Sequence, residues 1–496
     1  MKKVSKISLI IAASIIMTTG CGNKELSDNQ PDETTASDEI TSESSEPTGI
    51  VPPDIEAVNC GGAEYTILCR QPGGYTFPYS EFLAEEQSGD TMNDAVYKRN
   101  IAIEEKYNLK LVAAEFGDVT SKARNSILAD DSSFDLIMPM TSAAFALSLE
   151  GLLCDISRIP YVSLESPWWH DGISRNTSIG GRNYFISGDL NLSMLNGVGV
   201  TYFNKELAER NKIGDIYQTV RDGKWTLDSF SEYCKGITQD VNGDTQLNGD
   251  DMFGLTCNAF VWQPLFSGTG SRIIEKDQDD MPYLAWDSER NIAVIEKLVS
   301  FLNDRNSVIL VNQFPELQDG GGWGNASIKM FTEDRALFWI EIIYGVLQLR
   351  DMNTDFGLLP MPKYDESQTE YTSYIHANWT STCCVPITND NLDLAGRILE
   401  DMAYQSYLTV RPAYYDVTLK GKVSRDDESG EMLDIIYSNI NLDLTLTMVT
   451  SGLPIDSTMR SVMIENRTDL ASLIASQKSA CEEIIKKNTN VILALD

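Results

Sequence analysis

The chain has 496 residues, with 73 acidic against 39 basic side chains, a formal charge of −34 and two histidines. A field of that sign repels nucleic acid and anionic lipid, and it disfavours anionic substrates wherever no local pocket overrides it. The histidines, His170 and His376, lie far apart in sequence. They leave little material for zinc sites or for histidine-based catalysis.

The first predicted element is a secretory signal. Lys2, Lys3 and Lys6 precede an apolar run over residues 7–17, followed by TTGC at 18–21. A charged start, a short apolar stretch and small residues before a cleavage point make such a signal. The run is shorter than the ~20 apolar residues a membrane span needs. Cys21 directly after the small residues makes the segment resemble a bacterial lipoprotein signal, in which the Cys thiol is acylated, with palmitate for example, and becomes the new N-terminus. Thr18 departs from the aliphatic residue usual there. An ordinary secretory signal with an incidental Cys is the plainer alternative. Either reading sends the protein out of the cytoplasm, and lipidation at Cys21 would hold it on the extracellular face of the membrane.

Residues 22–50 carry eight acidic side chains, one basic one and no aromatic. Such a stretch buries too little apolar surface to offset the entropy of ordering, and its like charges extend it. At ~3.3–3.6 Å per residue it reaches roughly 100 Å. The reading is a signal over 1–20 and a lipidated Cys with an acidic tether over 21–55. Beyond Cys21 there are eight further cysteines with neither a CxxC pair nor metal-ligand spacing. Cys60 with Cys69 could close a hairpin; buried free thiols are the expectation for most, because a chain this long packs a core without staples.

The folded body opens with a strand-like run at 65–69. The spacing of Ala95, Val96, Arg99, Ile103 and Tyr107 predicts a helix over 91–107, with Thr91 as cap and Asn108 as stop. Strand returns at 109–113, helix near 121–129, and a buried strand at 134–138. Strand and helix in alternation predict a parallel sheet covered by helices. The length predicts two α/β lobes.

Seven short runs follow one another in a familiar order: NDAVYKRNIAIEEKY (93–107), FDLI (134–137), GLLCDI (151–156), TYFNKEL (201–207), GKWTLDSF (223–230), FTEDRALF (331–338) and FGLLPMPKY (356–364). Together they cover about residues 60–415, and the chain resembles a family 1 extracellular solute-binding protein, the maltose-binding-protein-like lipoprotein receptor of an ABC importer. Asp334 stands where that family usually has Gly. The resemblance implies a periplasmic-binding-protein-like fold, with two lobes joined by crossing hinge strands and a ligand clasped between them. It places the crossings near 190–200, 378–386 and 412–420. One lobe is then 56–195 with 384–415, and the other 196–383 with 416–496. It also implies a membrane permease as partner, a monomeric receptor and no catalysis.

Residues 240–251 form the sharpest local motif. Asp240, Asn242, Asp244, Asn248 and Asp251 fall at positions 1, 3, 5, 9 and 12 of a calcium-type loop, and Gln246 offers a backbone carbonyl at position 7. Thr245 replaces the usual Gly and Asp251 the usual Glu. One structural Ca2+ is expected, a solvated Asx-rich turn being the alternative. Dockerin-like loops look similar, but a second copy is missing.

Sugars stack on aromatic faces while polar side chains address their hydroxyls. The ligand platform is therefore sought among Trp168 and Trp169, adjacent in a loop; Trp323, in a Gly-rich loop; Trp262; Glu341 and Tyr344, in a largely apolar run; and Trp379 and Asp189, near the crossings. Trp225 is set aside as a packing residue. Carbohydrate is the expected solute. The alternatives are an exported glycoside-active enzyme, which needs only two poised carboxylates, a binding-only adhesin or sensor, and a receptor for a peptide. There is no GxSxG, HExxH or Walker loop.

Overall fold

A computed structural model describes residues 50–73, 78–317, 323–415 and 428–495. Cys21 and most of the acidic tether lie outside the described residues. Among those described, no helix is long and apolar enough to cross a membrane.

Two sheets organise the body. In the first, β1 (Ala63–Arg70) lies between β2 (Leu109–Phe116) and β3 (Leu136–Ile137), all parallel. The helix α1 (Thr91–Tyr107) has the predicted bounds, but its cap is Asp90, whose carboxylate accepts from the Met92 and Asn93 amides. Thr91 is the first helical residue rather than the cap. Asn108 ends the helix in the left-handed region (φ 47°), which turns the chain straight into β2. After β2 come α2 (Val119–Leu128), capped by Asp118, and after β3 comes α3 (Thr141–Leu149). The expected strand at 134–138 shortens to the two residues of β3.

The second sheet has the order β10-β4-β9-β5-β8. Its strands are β4 (Gly199–Asn204), β5 (Phe253–Cys257), β8 (Val308–Leu310), β9 (Ala336–Ile342) and β10 (Phe356–Leu359). Strands β5, β8 and β9 are parallel, whereas β4 runs antiparallel to β9 and β10. Two small sheets are separate from it: a hairpin of β6 (Ile274–Lys276) and β7 (Pro282–Leu284), and β11 (Ser373–Tyr374) paired with β12 (Ile440–Asn441). Trp225 is fully buried beside this sheet and donates to Pro360 O at 2.9 Å, the packing role assigned to it.

Two antiparallel segments connect the sheets. One runs from Ile186 to Val198 and the other from Ile375 to Pro386, bridged at Ile186–Cys383 and Val198–Ile375. The second continues past β3, where Ile137 pairs with Cys384. Both fall where the crossings were expected, but the first is interrupted by a helical turn at Leu192–Asn196. The third expected crossing lies mostly outside the described residues. The helix Leu392–Leu408 returns to pack on α1, with Lys106 2.6 Å from Asp401. The C-terminal helix Leu470–Ala494, expected to serve the second lobe, touches both the hairpin and α3.

The crossings share a buried carboxylate. Glu81, 1% exposed, accepts from the Ser193 amide and hydroxyl on one crossing and from the Ser381 hydroxyl on the other, each at 3.1 Å. Burial raises its pKa against the opposing pull of these bonds and of Arg99. Arg99 is itself fully buried and donates to Glu81 O at 2.7 Å.

Glu400, from the helix at 392–408, organises the first lobe in the same manner. It accepts from Trp168 Nε1 (3.0 Å), Trp169 Nε1 (2.8 Å), the Ser163 amide (3.1 Å) and the Ser166 hydroxyl (3.2 Å). Replacement by Ala strands the two buried indole N–H donors, at ~1–3 kcal/mol each, while removing a costly buried charge. Glu400→Ala is expected to lower the unfolding free energy by about 3 kcal/mol, read as a lower urea midpoint.

Candidate functional site

In open α/β sheets the loops at the carboxyl ends of parallel strands form the natural binding edge. In the second sheet that edge carries Asn258 after β5, Glu341 and Ile342 at the end of β9, and Gly199 at the start of β4. In the first sheet it carries residues 138–142 after β3. The two edges meet at 376–381: the Thr141 amide donates to Thr380 O at 3.0 Å, the Ser142 amide to Ala377 O at 3.1 Å, and the Ser142 hydroxyl to Asn378 Oδ1.

A pocket of about 50 Å³ opens here, with Asn258, Phe260, Glu341, His376 and Trp379 in its wall. The His376 and Trp379 rings stack at 4.1 Å with 8° between planes. Phe260, 37% exposed, lies beneath the Arg460 guanidinium at 4.7 Å. His376 Nδ1 accepts from the Asn378 amide at 3.2 Å, so in the neutral ring the proton sits on Nε2, which is buried and has no hydrogen-bond partner among the described residues. Burial lowers the His376 pKa to about 4, with nearby Asp456 pulling the other way. The site thus offers an aromatic face, a carboxylate and a fixed neutral donor, the set that addresses a polyol.

The residues singled out in the sequence divide. Glu341 and Trp379 line the pocket. Trp262 lies behind it, 2% exposed, donating to Asp456 at 3.1 Å; Asp456 also accepts from Gln263 of the pocket wall at 2.6 Å. Its role is to fix that wall rather than to face the cleft. Tyr344 follows β9, its amide on Asn196 O at 3.1 Å. Trp323 begins the helix Trp323–Thr332, and its ring lies outside the described residues.

Trp168 and Trp169 are elsewhere. Both turn their N–H groups to Glu400, and both are at most 3% exposed. Trp168 packs edge-on against Tyr404, while Trp169 also borders a second, larger cavity. Asp189 is fully buried 3.3 Å from Arg411 Nη1, behind that same cavity. His376, Asn258 and Phe260 escaped the sequence reading. Their signal was position, directly after β5 or within a crossing.

The loop 240–251 is closed at its base by paired bonds between Gln239 and Met252. Its side chains bind its own backbone: Asp240 accepts from the Gly243 and Thr245 amides, Asn242 from Asp244, Asp244 from Gln246, and Asn248 from Asp250. Asp251 is fully buried and accepts from Val241 and Asn248. Thr245 takes the left-handed conformation (φ 68°) that Gly usually supplies at this position. Among the described residues no group of three or more His, Cys, Asp or Glu is gathered closely enough to hold a metal.

No family model matches the chain, and no curated protein does. Solved structures match in shape. A cyclo/maltodextrin-binding protein complexed with maltotetraose superposes with a TM-score of 0.55 at 11% identity, over 87% of this chain and 97% of that one. UspC of M. tuberculosis gives 0.55 at 11%, over 85% and 100%. An ABC substrate-binding protein from Listeria monocytogenes, complexed with cycloalternan, gives 0.50 at 12%, over 87% and 98%. The fold is two-lobed and periplasmic-binding-protein-like. The sequence order of seven short runs and the three-dimensional likeness agree on it independently.

A group whose folded pKa is depressed adds stability above its unfolded pKa and loses it as pH falls toward the folded one. For His376 that window runs from pH 6.5 down to about 4. His376→Phe keeps a ring on Trp379 and removes the titration. Melting temperatures across this window are expected to fall less steeply for the variant than for the parent.

Proposed function

We propose that the protein is a membrane-anchored extracellular receptor that captures a carbohydrate between its lobes and presents it to the permease of an ABC importer. The observation that carries this reading is the meeting of both carboxyl edges on the stacked His376–Trp379 pair, with Glu341 and Asn258 beside it. An aromatic face takes the apolar side of a sugar ring, and the polar groups take its hydroxyls. The solved proteins complexed with maltotetraose and cycloalternan support an oligosaccharide over a peptide. Binding without turnover is part of the proposal; release of a shorter glycan by the purified protein would refute it.

Calorimetry against a panel of oligosaccharides tests the reading. At least one is expected to bind, and Trp379→Ala to weaken it by about tenfold, the loss of one stacking face at ~1.4 kcal/mol. Binding of peptides alone would overturn it.

Lipidation at Cys21 belongs to the same proposal. A lipid anchor with a long acidic tether raises the receptor's effective concentration at the permease and leaves slack for docking. We further propose one structural Ca2+ in the loop 240–251, held by Asp240, Asn242, Asp244, the Gln246 carbonyl, Asn248 and Asp251. The placing of oxygen side chains at positions 1, 3, 5, 9 and 12 of the loop supports it. Chelator is expected to lower the melting temperature of the parent and to leave Asp240→Ala unmoved.

A further inference from the structure

A cavity of about 560 Å³, within the range of small-molecule sites, shares no lining residue with the carboxyl-edge pocket. Its walls come from residues 165–176, 407–411, 437–441, Arg272 and 370–372. In a chain of charge −34, three arginines line it: Arg175, Arg272 and Arg411.

These cations are built in rather than scattered. Arg411 is anchored from behind by the fully buried Asp189 at 3.3 Å and lies over the Tyr407 ring at 5.2 Å. Arg272 Nε is buried without a hydrogen-bond partner among the described residues. So is His170 Nε2, on a side chain only 10% exposed, 3.6 Å from Asp189 Oδ1. Lys276 stands behind this wall, paired with Asp280 at 2.6 Å; burial lowers its pKa, Asp280 opposes that, and the Arg272 and Arg175 charges add to the lowering. The acidic residues of the lining, Glu165, Asp171 and Glu370, are all exposed, and Asp171 is paired with Arg175. Behind the wall Asp189 Oδ1 is likewise buried with no hydrogen-bond partner among the described residues, and Asp443 lies near enough to Arg272 to feel its charge. On the cavity side, three arginines face carboxylates that are all exposed. Guanidiniums recognise oxyanions through paired, charge-assisted bonds, and Trp169 and Tyr407 supply hydrocarbon faces beside them.

We propose that this cavity is a second ligand-binding site, for a small solute bearing an oxyanion, held by Arg272 and Arg411. It is separate from the sugar pocket and does not depend on the reading given for that pocket. The oxyanion can be the carboxylate of an acidic sugar or a free phosphate, and the test distinguishes them.

Isothermal calorimetry on the full chain, with glucuronate in one arm and inorganic phosphate in the other, decides the matter; neutral glucose is the control. One of the two anions is expected to bind, with affinity falling as salt rises. Arg272→Gln is expected to weaken it ~10–100-fold, the loss of a charge-assisted hydrogen bond. Arg411→Lys, which keeps the charge but not the paired geometry, is expected to weaken it as well, and serves if the first variant does not fold. Oligosaccharide binding at the carboxyl-edge pocket is expected to be unchanged in both variants, so failure here and failure of the receptor reading are separable. Binding of neither anion at millimolar concentration, or equal binding by parent and variants, overturns the proposal.

Discussion

The carboxylate of Glu81 is the constraint on which the two-lobed arrangement depends. Two chain segments cross between the sheets, and their polar side chains are shut away from water where they cross. Ser193 and Ser381 answer that by donating to one buried carboxylate, and Arg99 balances its charge. A buried carboxylate with fewer partners is expensive. Glu81 is therefore fixed by both crossings at once, and each crossing is held in register with the other through it.

Everything proposed for the ligand pocket lies downstream of that register. The second crossing carries Ser381 and, a few residues earlier, Trp379, Asn378 and His376. Once Ser381 is placed, the Thr141 and Ser142 amides find the carbonyls of Thr380 and Ala377, and the edge of the first sheet is tied to the pocket floor. The donor on His376 Nε2 follows by elimination, since the Asn378 amide already occupies Nδ1. The pocket is thus a consequence of hinge geometry as much as of the residues that line it.

Local features were readable from the sequence because local physics decides them. The bounds of α1, the stop at Asn108 and the alternation of strand and helix follow from periodicity and backbone preference. The first two crossings fell where the family resemblance implied. What escaped was set by partners hundreds of residues away. Trp168 and Trp169 looked like cleft residues because nothing near them in sequence explains two indoles; Glu400 explains both. Trp262 likewise answers to Asp456. His376 was passed over as too isolated for catalysis, although a single neutral donor is all that recognition of a hydroxyl requires.

The eight cysteines of the described body are all free, and six of them are buried. Burial pushes the thiols up, Cys154 to about 11 and Cys383 and Cys384 further. Attack on a disulfide or an oxidant needs the thiolate, and these sites withhold it. Folding of the described body therefore waits on no thiol oxidase and no disulfide isomerase. That body would keep the same stability in a reducing medium as in an oxidising one, because among the described residues no cross-link is covalent.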